Sequence, residues 1–468
     1  MHNTSAGPAT SDREPDTGGF VVIGTTNLTR RVCAALRQQR RQVHHLPAPD
    51  DQELGRALAG RPAGVAVLTR DDVTALRYAL AVRHLSPAAP VVVTVFDRTI
   101  AQQLQALLPH CTTLSPAELL APTLAGLCAA PDLLALSRTG HAVRRQDGRP
   151  THTTWQNAAT ARWRSLLGRL SGQLRPYDAD TRMFLGGLAG ITAVLGLDWA
   201  WLCTAFHEPV GTAFVEAARV VTAVGPAVTH PGHTAYQAVS GAMMLATLGF
   251  TALLTAGLVN RMSGPRLVGI LGPRALPRSG HVLVVGLGHV GIRLCQALHQ
   301  LHIPVVAIER DPTAAHLRLA RSLGIPVVLA HGEDRHVLQR LGLHRARALA
   351  AMGSDELDNI AVAVAAHGAA PGVRVVLRAG ENEAIAETRS LLPLGHTRDV
   401  TRASAAFIVA QLTGGQPEFV VADIDCDYLE LPGEGLVASP VPARDDCDHI
   451  AAWPPEQPDR PRADATCS

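Results

Sequence analysis

Two stretches constrain the fold of this chain more than any other feature. Residues 183–206 carry one charge, Asp198, and residues 238–260 carry none. A bilayer core takes about 20 apolar helical residues, and both stretches are long enough. Two membrane spans are expected, because core helices rarely stay uncharged for so long; a pair of buried core helices is the alternative. Arginine sets the orientation. Arg162, Arg164, Arg169, Arg175 and Arg182 precede the first stretch, Arg261, Arg266, Arg274 and Arg278 follow the second, and Arg219 alone lies between. The positive-inside rule then makes both termini cytoplasmic, places 208–237 outside, and gives a multi-pass protein of the plasma membrane, facing the lipid bilayer. Asp198, beside Trp199 and Trp201, is expected to be an interfacial acid that reaches the headgroups rather than a partner helix.

All 42 lysine-plus-arginine residues are arginine. That excludes a Walker A lysine, a Schiff base and the Tyr/Lys pair of many dehydrogenases. A net charge of +2 with 4% aromatic residues does not suit a nucleic-acid partner. Cys33, Cys111, Cys128, Cys203, Cys295, Cys426, Cys447 and Cys467 form no C-x-x-C pair, so reduced thiols are expected, with neither disulfide scaffold nor zinc site. The opening M-H-N-T-S-A-G-P-A-T-S-D-R-E lacks a basic region followed by an apolar run, and no cleaved signal peptide is expected.

After the second apolar stretch comes H-V-L-V-V-G-L-G-H-V-G-I-R-L-C-Q-A-L. A buried-type strand runs into Gly286, Gly288 and Gly291 and then into a helical pattern. The next strand, P-V-V-A-I-E-R, ends in Glu309 about 20 residues on, where an acid can bond ribose hydroxyls. Gly286 permits the turn, Gly288 admits a pyrophosphate, Gly291 lets helix and strand pack, and the phosphates meet the helix N-terminus. Strands alternating with helices continue through 325–330, A-L-A-A-M, G-S-D-E-L-D-N-I and V-R-V-V-L-R. This predicts an α/β, Rossmann-like, doubly wound parallel sheet with ligand at the strand carboxyl ends. The acid at Glu309 favours NAD(H) or another nucleotide with a free ribose, and neighbouring Arg310 leaves NADP open. A domain of this shape used only for assembly is the other reading.

The grammar repeats before the apolar stretches. F-V-V-I-G-T-T-N-L-T-R-R-V-C-A-A-L again reads strand, glycine turn, helix, and Asp71 stands where the later copy has Asp355. Of the three glycines only Gly24 remains; Thr26 and Thr29 take the other places, and Pro47 replaces the acid. Side chains there obstruct a pyrophosphate, so this copy is read as a structural or interface domain.

These motifs carry a resemblance. G-L-G-H-V-G, the acid-ended strand, H-G-E-D-R and S-D-E-L-D-N, within residues 281–387, resemble the N-terminal lobe of the RCK family, also called TrkA-N or KTN domains, which regulate potassium channels and transporters. Residues 19–120 resemble a degenerate second copy, and 183–260 more weakly resemble a two-span potassium-channel pore. The resemblance implies nucleotide contacts from Gly286, Gly288, His289, Val290 and Gly291 at the phosphates, Glu309 and Arg310 at the ribose, and Gly332 and Glu333 near the adenine. It also implies pairing of such domains and a homotetrameric pore. The expected organisation is a disordered 1–18, a degenerate Rossmann domain at 19–135, a cytoplasmic linker at 136–182 and a pore-like module at 183–260. A linker at 261–280, the nucleotide domain at 281–415, a short β-rich extension at 416–440 and a disordered tail at 441–468 complete it.

Between the apolar stretches lies R-V-V-T-A-V-G-P-A. Filters turn loop carbonyls toward the ion, and the family pattern puts Thr222, Ala223, Val224 and Gly225 on the ion pathway, behind a pore helix at 212–221. Pro226 and Ala227 depart from the pattern, fixing φ and adding a methyl where an aromatic residue and a glycine are wanted. Strict potassium selectivity therefore does not follow. His230 and His233 lack companion ligands for a metal; His331 and His336 read as surface groups; Cys426, Cys447 and His449 fit no standard site. The functional expectation is a non-enzymatic potassium or cation channel-like protein regulated by NAD(H) or a related adenine nucleotide. A nonconducting accessory sensor and a membrane-tethered NAD-dependent oxidoreductase are the alternatives.

Overall fold

The computed structural model describes residues 18–108, 111–146, 148–155, 179–222, 224, 233–263, 276–277, 279–379, 395–424 and 426–439. The expectations for residues 1–17 and 441–468, for most of the connection 261–280, and for Ala223 and Gly225 lie outside them.

The N-terminal domain alternates strand and helix: β1 (Phe20–Ile23), α1 (Asn27–Gln38), β2 (Val43–Leu46), α2 (Asp51–Ala59), β3 (Gly64–Val67), α3 (Asp72–Leu85), β4 (Val91–Thr94), α4 (Arg98–Leu107), β5 (Cys111–Leu114) and α5 (Pro116–Ala129). The strands are short and valine-rich, and β1, β3 and β4 are buried along their whole length, the pattern of a sheet covered on both faces. They form a parallel sheet in the order β2-β1-β3-β4-β5. Asp50, Asp71 and Asp97 each cap the following helix by accepting from its first-turn amides.

Residues expected to begin a linker instead form strands. β6 (Leu133–Leu136), β7 (His141–Gln146) and β8 (Arg149–Thr154) make an antiparallel sheet. The hairpin turns at Gly148, whose φ is +76°; the Asp-Gly pair in the sequence is a turn signal that the linker reading passed over.

The apolar region gives α6 (Ala179–Ala205), α7 (Val210–Val221) and α8 (Thr234–Ser263). Only 17% and 11% of the apolar windows in α6 and α8 are buried, whereas a core helix is mostly covered by protein, and both helices are long and apolar enough to cross a membrane. The long helices approach closely where Gly187 faces α8, for an added Cβ would sit 2.6 Å from the Leu254 amide nitrogen. Against expectation, Asp198 faces a partner helix: it is fully buried, and the Tyr236 hydroxyl on α8 donates to it at 3.3 Å. An acid without water needs a donor, and α8 supplies one.

The C-terminal domain comprises β9 (Val282–Val285), α9 (His289–Gln300), β10 (Val305–Glu309), α10 (Leu317–Ser322), β11 (Val327–Leu329), α11 (Arg335–Arg340), β12 (Ala348–Ala351), α12 (Glu356–Ala369), β13 (Val375–Ala379), β14 (His396–Asp399) and α13 (Val400–Leu412). Its parallel sheet runs β11-β10-β9-β12-β13-β14, so the expected doubly wound fold is observed. An antiparallel sheet of β15 (Phe419–Val421), β16 (Tyr428–Leu431) and β17 (Gly435–Ala438) follows α13, as β6–β8 follow α5. The β6–β8 and β15–β17 sheets share a small core of Leu134, Val143 and Val421.

The two copies pair inside one chain. α5 packs on α9 and, reciprocally, α13 packs on α1, so one continuous core runs through both domains. Arginines from the C-terminal domain close the end of α5, Arg374 donating to Leu127 O at 2.9 Å and Arg347 to Ala129 O at 3.4 Å. Arg31 on α1 pairs with Asp399 at 2.9 Å.

Candidate nucleotide site

A cleft of about 350 Å³ opens at the carboxyl ends of β9, β10 and β12. Its floor is the glycine turn. Gly286 has φ +89°, and its amide donates to Ile308 O at 2.9 Å, while Gly353 lies against it. Gly288 caps α9, and a Cβ added to it would meet nothing within 4 Å. The space a side chain would take is left open, which is what close approach of a pyrophosphate requires. Gly291 is different: a Cβ there would collide with the Gly286 carbonyl, so its task is packing.

Glu309 ends β10 facing this turn. Its Oε2 accepts from Leu287 N at 2.7 Å and its Oε1 from Arg310 N at 2.8 Å and Asp311 N at 3.0 Å. Three amides thus fix the carboxylate at the rim of the glycine turn. Arg310 is exposed and paired with Asp358 at 2.8 Å. Opposite, Asn359 is buried; its side-chain oxygen accepts from Gly353 N at 2.9 Å and its amide donates to Gly353 O at 3.1 Å. Asn359 therefore holds the β12 turn in place.

Of the residues singled out from sequence, Gly286, Gly288, Glu309, Arg310, Gly332 and Glu333 line the cleft. Val290 is a buried core residue, and Gly291 packs behind the turn. His289 stands at the start of α9 between two rings, Phe96 at 4.9 Å and His316 at 4.8 Å. Burial, the neighbouring His316 and two arginines hold its pKa below the ordinary histidine range. Sequence reading missed Asp311, His316, Gly353, Ser354, Asp358 and Asn359 as lining residues. The S-D-E-L-D-N motif held half of them, but as a helix start and not as a wall.

The N-terminal copy shows the same turn closed. Gly24 has φ +135°, and a Cβ there would strike Leu68 O. Thr26 and Thr29 fold back into the turn: their hydroxyls lie 2.9 Å apart, and both reach Leu68 O at 3.3 Å. His45 Nε2 lies 2.9 Å from the Gly24 carbonyl oxygen. Protein atoms thus fill this turn.

Between the long helices, α7 buries Ala213, Ala217 and Val220. Of the residues placed on the ion pathway, Thr222 caps α7, its hydroxyl donating to Ala218 O at 3.0 Å and Arg219 O at 3.1 Å. The Val224 amide donates to Arg219 O at 3.0 Å and its side chain is exposed.

Residues 282–393 match the TrkA-N domain. The chain is 40% identical over 83 residues to the Trk system potassium uptake protein TrkA of Streptomyces coelicolor, covering 18% of this chain and 37% of that protein. It is 35% identical over 71 residues to K(+) efflux antiporter 2, chloroplastic, of Arabidopsis thaliana, covering 15% and 6%. The chain thus spans little more than a third of the first relative and a small part of the second. Among solved structures, the GsuK channel bound to NAD aligns with 86% of this chain and 64% of its own, at 14% identity and a TM-score of 0.45. The chain thus carries a TrkA-N domain at residues 282–393.

Proposed function

We propose that this is a membrane potassium or cation channel-like protein regulated by NAD(H), or a related adenine nucleotide, at the cleft of the C-terminal domain. The observation that carries the reading is the open cradle at Gly288 beneath Glu309, in a chain that also holds two membrane-length helices with a short helix packed between them. Gly286 and Gly288 admit a pyrophosphate to the start of α9, and Glu309 offers its carboxylate to ribose hydroxyls. The nucleotide supplies binding energy; the chain supplies the differential. Occupancy regulates a pore only if the cleft binds more tightly in one conformation, and a few kcal/mol of difference suffices. Both termini are cytoplasmic in this reading, and chains assemble as a tetramer around the segment that includes Thr222 and Val224.

Purified full-length protein in liposomes, assayed for potassium against sodium flux with and without NAD(H), tests the reading. Nucleotide-dependent flux supports it. Nucleotide binding without flux favours a nonconducting accessory sensor, a second reading suggested by Pro226 and Ala227 where the family pattern wants an aromatic residue and glycine. Turnover of the nicotinamide with a substrate would instead mark a tethered oxidoreductase.

A further inference from the structure

His316 lines the cleft together with Leu287 of the glycine turn. It meets His289 edge-on, and His289 meets Phe96, which belongs to the N-terminal domain. Three rings therefore connect the cleft to the neighbouring domain. Phe96 is held firmly: Asp72 accepts from its amide at 2.9 Å and from the Asp97 amide at 2.6 Å. Arg293 on α9 donates to Phe96 O at 3.5 Å and stands 3.6 Å from Glu118.

The charges around the cleft give this chain of rings a task. Glu309, Asp311, Glu333 and Asp358 line it, and the one arginine among the lining residues, Arg310, is already paired with Asp358. A diphosphate brings two further negative charges. Among the lining residues, His316 is the group that can add positive charge on demand. Burial holds both histidines below their ordinary range. For His316, Arg293 adds to this while Glu309 opposes it; for His289, His316, Arg293 and Arg378 add while Asp72 opposes. Both rings are accordingly neutral near pH 7, and a bound phosphate favours protonation.

We propose that a diphosphate-bearing nucleotide enters the cleft together with a proton taken up by the His316–His289 pair, and that Phe96 sets the pH at which this happens. The proposal rests on the nucleotide reading above. Because the liganded pair holds its proton to higher pH than the free pair, affinity rises as pH falls between those two limits, by up to about tenfold per pH unit for one proton. The N-terminal domain, itself closed to nucleotide, thereby acts on the other domain's site.

Calorimetric titration of the detergent-solubilised full chain with NAD, between about pH 5.5 and 8 in two buffers of different ionisation heat, tests it. Net proton uptake, affinity rising toward acid, a flattened profile in His316→Gln and a window moved to higher pH in Phe96→Leu, where His289 gains water, support the proposal. Uptake that persists with adenosine, which has no phosphate, overturns the assignment. NAD binding with equal heats in both buffers and no pH dependence overturns proton linkage and leaves the nucleotide site standing. A folded protein that binds no NAD at any pH overturns both.

Discussion

The N- and C-terminal domains are built on one plan and differ where a ligand would sit. Gly24 N bonds Leu46 O, and Gly286 N bonds Ile308 O; Leu68 N bonds Ile23 O, and Met352 N bonds Val285 O. With the frame matched bond for bond, the differences stand out. Thr26 and Thr29 occupy the N-terminal turn, whereas the C-terminal turn leaves the place beside Gly288 open. Pro47 follows β2 where Glu309 ends β10, as the paired registers Ile23↔Leu46 and Val285↔Ile308 show. The same backbone frame thus carries a turn filled by two hydroxyls in one copy and a turn left open in the other.

The strongest way to break this comparison is through the glycines. Gly291→Ala drives a methyl into the Gly286 carbonyl, and Gly24→Ala meets Leu68 O at a positive φ. Both should cost about 3 kcal/mol or more, seen as a large drop in melting temperature. Gly288→Ala meets nothing within 4 Å, so it should leave melting unchanged while weakening NAD binding by about tenfold or more. If Gly288→Ala melts like Gly291→Ala, the division between packing glycines and a ligand glycine fails.

Acid should also separate the copies. His281 is fully buried just before β9, its Nε2 3.0 Å from Leu341 O, and burial lowers its pKa from 6.5 to about 4. The matching place before β1 holds Gly19. Below pH 6.5 the unfolded chain binds a proton that the native domain refuses until pH is near 4, so stability falls across this window by about 3 kcal/mol and then levels. His281→Leu should flatten that part of a denaturation-against-pH curve. An unchanged acid slope in the variant assigns the loss to other groups.

Glu309→Ala removes a carboxylate that accepts three amides. Hydrogen bonds to a charged group are each worth about 1.5–3 kcal/mol, and losing the proposed ribose contact should weaken NAD binding roughly tenfold to a hundredfold in a calorimetric titration. Equal affinity would move the ligand away from this wall.

The glycine turn and the acid-ended strand were legible in the sequence because each answers a local demand of the backbone. The parallel sheets were legible for the same reason: short apolar strands such as Val282–Val285 alternate with aspartate-capped helices. Contacts between distant segments were not. Phe96 reaches His289 only once α5 and α13 have crossed between the domains. Asp198 was misjudged because its tryptophan neighbours suggested a headgroup position, while its donor, Tyr236, sits on the other helix. The β6–β8 sheet was missed although Asp147-Gly148 announces its hairpin, because only Ala142 and Val143 of β7 are buried, too few for a clear alternation.

The smallest test asks whether the closed turn is a plug or a cap. Thr26 accepts from the Thr29 amide at 3.2 Å as the N-cap of α1, and its hydroxyl also meets that of Thr29. Thr26→Ala should cost about 1 kcal/mol, the usual worth of an N-cap. Thr26→Gly keeps a permitted cap residue and removes the side chain from the turn, so its cost should be only a few tenths of that. If filling the turn were the sole barrier, Thr26→Gly combined with Thr29→Gly would raise NAD stoichiometry from one to two per chain. The stoichiometry should stay at one, because His45 still contacts the Gly24 carbonyl and Pro47 still offers no carboxylate to a ribose. A second equivalent of NAD in the double variant would show that the N-terminal copy had lost only its entrance.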